Sequence, residues 1–179
     1  MTTTVPDLAV ADPSRRLRAV VTVALVLIPL AFAGEAWHTL SSGSFTDPAG
    51  PGTSVPVADL PTSGAVLLLA MRVLELAPAL LAGLALRSLL SSWMAGDILT
   101  ERTARLVRII GLWLVAMAAV RLVTSTTSGP LLWAMGALDR TVVHVDIDLT
   151  APIIGLTLVC LSQVLAVAAR VQRDAELTI

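Results

Sequence analysis

Lysine is absent from this 179-residue chain; arginine supplies all 12 cations, and 13 acids bring the formal net charge to -1. With no basic excess there is no global field to attract nucleic acid, so direct nucleic-acid binding is not expected. Cysteine occurs once, at Cys160, which excludes an intrachain disulfide and a cysteine-based metal site. Histidine occurs twice, at His38 and His144. No H-E-x-x-H, G-x-S-x-G or phosphate-loop pattern accompanies them, so neither an enzyme nor a bound cofactor is expected. Charge itself is scarce, at 14% of residues against 56% hydrophobic. Soluble domains are about 45–50% apolar, so a membrane protein of one compact unit is the first expectation.

Four apolar stretches meet the length of about 20 residues that a helix needs to cross a hydrocarbon core. They are residues 19–37, 66–90, 106–123 and 152–169. The predicted fold class is an all-α membrane protein: a bundle of four transmembrane helices (19–169) between short tails (1–18 and 170–179). Cations flanking a span stay cytoplasmic. Arg15, Arg16, Arg18, Arg87, Arg102, Arg105, Arg108, Arg170 and Arg173 fall on one side and Arg140 alone on the other. Both termini are therefore expected in the cytoplasm, with the two long loops outside. A competing reading takes the first stretch as a cleavable signal peptide, with basic residues, an apolar run and an Ala-x-Ala at Ala31 and Ala33. Apolar character continuing through Ala36 to an interfacial Trp37 favours an uncleaved span.

The spans are not wholly apolar. Counted from Ala19, Ser88 and Leu106 near the cytoplasmic ends of the spans, Glu35, Arg72, Glu75 and Arg121 lie about 20 to 24 Å deep at 1.5 Å per residue. Two acids and two bases in one slab predict an intramembrane charge network, paired most simply as Glu35 with Arg72 and Glu75 with Arg121. Arg72, Glu75, Ala79 and Ala82 share one helix face, and Gly111, Leu114, Ala118 and Arg121 share another. Small residues allow close helix approach, so these faces are expected to meet. Two readings of the network stay open: an ion-pair lattice that fixes helix register, and a site for a ligand, ion or proton. Pro78 frees the carbonyl of Leu74 beside Glu75, and Pro29 predicts a kink in the first span.

In the second outer loop, "RTVVHVDIDLT" alternates strictly, with His144, Asp146 and Asp148 on one side and Val143, Val145, Ile147 and Leu149 on the other. This predicts a short strand with one wet face, paired with "TSVPVADL" in the first loop as a small extracytoplasmic β-hairpin cap. The sharper alternative is a divalent-metal site on His144, Asp146 and Asp148, joined by His38. Ser162, Gln163 and Thr157 in the fourth span are expected to hydrogen-bond between helices. The cytoplasmic link has Gly96 to break one helix and Thr100 to cap the next. Glu101 sits in the positive first turn, and Arg102, Arg105 and Arg108 face headgroups beside an interfacial Trp93.

That link, through Gly96, Leu99, Thr100, Leu106, Arg108, Ile109 and Gly111, resembles the bacterial membrane family called domain of unknown function 2975. The polar ending with Glu176, Leu177, Thr178 and Ile179 is similar to that family as well, while Leu99 stands where the family often has an aromatic. The resemblance implies a four-helix inner-membrane protein, hints at a regulatory or stress-linked role, and carries over no catalytic residues. The leading expectation is thus a noncatalytic protein working through the lipid bilayer and a protein partner or a second copy of itself, as an interaction, regulatory or envelope-sensing component. The alternative is a small transporter or ion-conducting component that uses the intramembrane charges.

Overall fold

The computed structural model describes residues 7–97 and 100–177, with side chains placed for 15–97 and 100–174. Leu99, Thr178 and Ile179, and the side chains of Glu176 and Leu177, which carry part of the family resemblance, lie outside the described residues. The elements in order are α1 (Asp7–Ser42), β1 (Ser44–Thr46), β2 (Ser54–Pro56), a single turn of tight helix (Val57–Asp59), α2 (Thr62–Met94), α3 (Glu101–Ala134) and α4 (Thr150–Leu177). Helices of 28 to 36 residues extend about 42 to 54 Å, against a hydrocarbon core of about 30 Å. All four are apolar and long enough to cross a membrane. Apolar side chains surround them: Val20, Val23, Leu27 and Leu30 on α1 and Ile153, Leu156, Val164 and Val167 on α4 are exposed. Such surfaces need lipid, because water tolerates contiguous apolar patches of only a few hundred Å².

Each helix packs chiefly on its neighbour in sequence, α1 on α2, α2 on α3 and α3 on α4, so the bundle is an open row. Along its described side chains α1 has no buried residue; it rests on α2 where Leu25 covers Gly83, whose Cβ would lie 2.7 Å from the Leu25 side chain. The α3–α4 contact is the closest. A Cβ on Gly111 would sit 2.5 Å from the Gly155 carbonyl oxygen, and a Cβ on Gly155 2.6 Å from that of Gly111. Two backbones can touch there only because both residues lack a side chain. The Gly111 face thus turns to α4, whereas the sequence pattern paired it with the Arg72 face of α2. The glycines at 111 and 155 supply a closer fit than alanines could.

The end of the row that carries the connections between α1 and α2 and between α3 and α4 is the loop end; the opposite end, where α1 starts, α2 ends, α3 starts and α4 ends, is the termini end. At the loop end β1 and β2 form an antiparallel hairpin with Phe45 opposite Val55. Phe45, Ala49, Val55 and Leu60 bury themselves on Leu68 of α2 and Leu132 of α3, so the hairpin is a lid held by its own hydrophobic core. Residues 140–149 form no strand. They cross the bundle as an extended strap, with the Val142 carbonyl against Gly129 and the His144 ring against Gly50. The expected pairing of this segment with "TSVPVADL" is corrected accordingly. β2 takes β1 as its partner through a short local turn, and the strap is drawn onto the bundle by its polar side. At the termini end Ala85, Leu89, Val107 and Ile110 form a second core between α2 and α3.

Candidate functional site

Between the two cores, under the hairpin and the strap, lies a cavity of about 420 Å³. α2 supplies Leu68, Met71, Arg72 and Glu75, α3 supplies Met117, Arg121 and Thr124, the hairpin turn supplies Asp47 and Gly50, and the strap supplies His144 and Asp146. The strap keeps the alternation seen in its sequence. His144 and Asp146 are half-buried and turned to the cavity, whereas Val143, Val145, Ile147 and Leu149 are exposed. The face expected to be wet is therefore an inward, site-lining face.

Inside the cavity Glu75 is held from two sides. Its Oε1 accepts from the buried Thr124 hydroxyl, and its Oε2 lies 3.5 Å from the Arg72 guanidinium, one turn away on the same helix. Arg121 Nε lies 3.1 Å from Asp146 Oδ2. The expected pairs, Glu35 with Arg72 and Glu75 with Arg121, are replaced. Arg72 and Glu75 stand three residues apart on one face and need no second helix to meet. Arg121 is reached by the strap, a partner that the strand expectation had placed elsewhere. Glu35 is exposed on α1 and, with His38, lines a smaller hollow of about 90 Å³ that shares Phe45, Thr46 and Arg72 with the main cavity. It makes no ion pair among the described residues.

The metal arrangement does not assemble. His144 and Asp146 face the cavity, but Asp148 accepts the Thr150 N–H at 2.9 Å, at the start of α4, and His38 belongs to the smaller hollow. No three of His, Cys, Asp and Glu gather around a common point among the described residues. The Thr150 amide and hydroxyl hold the Asp148 carboxyl below its ordinary range, with Arg121 adding a smaller pull.

At the other end, α2 stops at Met94 and Gly96 takes a φ of 84°, the left-handed conformation glycine adopts without strain. Thr100 caps α3 by accepting the Thr103 N–H at 3.2 Å. Thr103, 2% exposed, donates its hydroxyl to the Asp97 carbonyl. Arg102, Arg105 and Arg108 line one exposed face of α3, while Glu101 pairs with Arg173 of α4 at 3.3 Å. Trp93 packs on the termini-end core with its indole nitrogen buried and unpartnered, so it is a core residue more than an interfacial anchor. The expected hydrogen bonds between helices in the fourth span are also revised: Thr157 and Ser162 donate to carbonyls of their own helix, and Gln163 is exposed.

Asp47, Thr124 and the methionines at 71 and 117 are site residues that sequence reasoning missed. Thr124 was readable in principle. "TSTTSG" looks like loop, yet Thr126 and Thr127 return their hydroxyls to carbonyls four residues back and so sit comfortably in a helix leaving the membrane.

Four membrane-crossing helices under a charged, lidded cavity define a multi-pass protein of the bacterial inner membrane. Residues 31–179 match the family described as Protein of unknown function (DUF2975), and the chain belongs to that family. No curated protein and no solved structure matches it.

Proposed function

We propose that this protein is a noncatalytic envelope sensor, in which the loop-end cavity takes a small ligand outside the cell and its occupancy is relayed along α3 to a partner at the cytoplasmic end. The arginine asymmetry supports this orientation: of the arginines that flank the spans, nine lie toward the termini end and Arg140 alone lies at the loop end, Arg72 and Arg121 being inside spans. The observation that carries the reading is the confinement of intramembrane charge to one side of a dry layer. Residues 76–86 of α2, 109–120 of α3 and 151–169 of α4 contain no ionisable side chain other than Cys160. On α2 that layer alone is about 16 Å thick. A transporter built from one chain needs polar groups across the barrier, and here the Gly111–Gly155 contact and the core of Ala85, Leu89, Val107 and Ile110 fill it instead.

The deciding experiment is reconstitution into proteoliposomes. Proton, sodium and chloride flux are expected to match protein-free vesicles, while the distance between labels at positions 101 and 173 shifts when envelope extract is added. Ion flux that disappears in Glu75→Gln would sink the sensor reading and make this protein a conducting component.

A further inference from the structure

We infer that the cavity recognises a phosphate–ammonium zwitterion of the phosphoethanolamine type; this deepens, and rests on, the reading of the cavity as a ligand site. Two arginines and three carboxylates line it beside His144, so charges of both signs face the same space and nearly cancel. A balanced lining rejects polyanions and polycations alike and suits a ligand whose own charges cancel.

The distribution of unused hydrogen-bonding capacity says where each end of the ligand sits. A guanidinium carries five N–H donors. Arg72 directs one nitrogen to Glu75 and Arg121 directs Nε to Asp146, and among the described residues no other acceptor meets either side chain. The two guanidiniums project from facing helices into one space, with N–H pairs free to grip an oxyanion in the forked geometry arginine forms with phosphate. Glu75 competes poorly for the ligand's cation, because the Arg72 guanidinium already lies against one of its oxygens and Thr124 donates to the other. Free acceptor capacity lies on the loop side: Asp47 uses Oδ1 on the Gly52 N–H at 2.6 Å and keeps Oδ2, while Asp146 uses Oδ2 on Arg121 and keeps Oδ1. An ammonium donates three hydrogen bonds and fits there, with the phosphate deeper, between the helices. Met71 and Met117 form an adaptable apolar wall that tolerates a glyceryl substituent. The cavity's 420 Å³ falls within the range of about 300 to 1,000 Å³ typical of small-molecule sites.

This chemistry has two sources, a free solute and the headgroup of phosphatidylethanolamine in the leaflet at the loop end. Calorimetric titration with glycerophosphoethanolamine, on full-length protein in phosphatidylcholine nanodiscs, tests the first. Melting in nanodiscs with and without phosphatidylethanolamine tests the second. Saturable binding of the soluble compound, or a higher melting temperature in phosphatidylethanolamine alone, supports the proposal and tells the sources apart. In either case Arg121→Gln should weaken the effect by about tenfold or more, and Asp47→Asn, in an exposed turn remote from the helix core, by about threefold. Glycerophosphocholine lacks ammonium N–H donors and should bind about tenfold more weakly. Equal binding of the choline compound, tighter binding of glycine, or no response to either source overturns the assignment. Ion flux in the reconstitution assay would instead overturn the sensor reading while leaving these titrations interpretable.

Discussion

The two halves of this molecule solve opposite packing problems with the same helices. Toward the termini end, α3 and α4 touch backbone to backbone at Gly111 and Gly155, and α2 fills the remaining space with Ala85 and Leu89. Toward the loop end the same α2 and α3 part around a cavity, and the gap is lined by Arg72, Glu75, Arg121 and Asp146 and roofed by the hairpin and strap. Lipid is as apolar as leucine, so helices gain little by hiding apolar surface from it and must associate through close fit or polar contacts. One half uses the first device and the other half the second. A close-packed half therefore supports a half that encloses a polar cavity.

Substitutions that separate the devices should differ in size. The largest effect is expected for Gly111→Val, which forces a branched side chain against the Gly155 carbonyl; thermal unfolding in mild detergent should show a loss of about 3 kcal/mol. If Gly111→Val melts like wild type, the dry half is not close-packed and the contrast collapses. Thr124→Val removes the hydroxyl that Glu75 accepts from a buried position and should cost about 2 kcal/mol in the same assay. Gly129→Ala pushes on the Val142 carbonyl, but the strap can yield where a helix cannot, so about 1 kcal/mol is expected. A cost equal to that of Gly111→Val would show the roof to be as rigid as the helix crossing. A double-mutant cycle on Arg121→Gln and Asp146→Asn should return a coupling of only about 0.5 kcal/mol, because both side chains are more than a third exposed. The smallest effect belongs to Asp148. Its folded pKa is lowered, so its contribution is present above the ordinary value of 3.8 and is lost as the pH falls through the lowered one. Melting curves between neutral and strongly acidic pH should lose a shallow step in Asp148→Asn.

Much of the architecture was legible in the sequence, because four windows of about 20 apolar residues leave few alternatives. The charges were conspicuous for the same reason, since Arg72 and Glu75 interrupt "LLLAMRVLELAPALL". Their partners were harder to read. Depth counted along each helix does not give the angular position of one helix on another, and it was the helix face, together with the strap, that decided the pairings. The strap's period of two was visible, but alternation alone does not say which side faces inward or whether a second strand accompanies it. Here Arg121 settles the inward side by meeting Asp146. The end of α3 was misjudged by the length of a hydroxyl-rich run, which a helix can accommodate by bonding each hydroxyl to its own backbone.

The Gly111–Gly155 contact has a mechanical side. Gly111 lies ten residues from Arg121 and ten from Glu101, about 15 Å in each direction along α3. A point where two rods touch without intervening side chains is a fulcrum, and this one stands midway between Glu101 and Arg121 on α3. Any tilt of α3 against α4 that shifts the Arg121 guanidinium would swing Glu101 the opposite way by a similar amount, straight across its bridge to Arg173. The two arms have equal reach, so the lever would neither amplify nor diminish the stroke; it would reverse it.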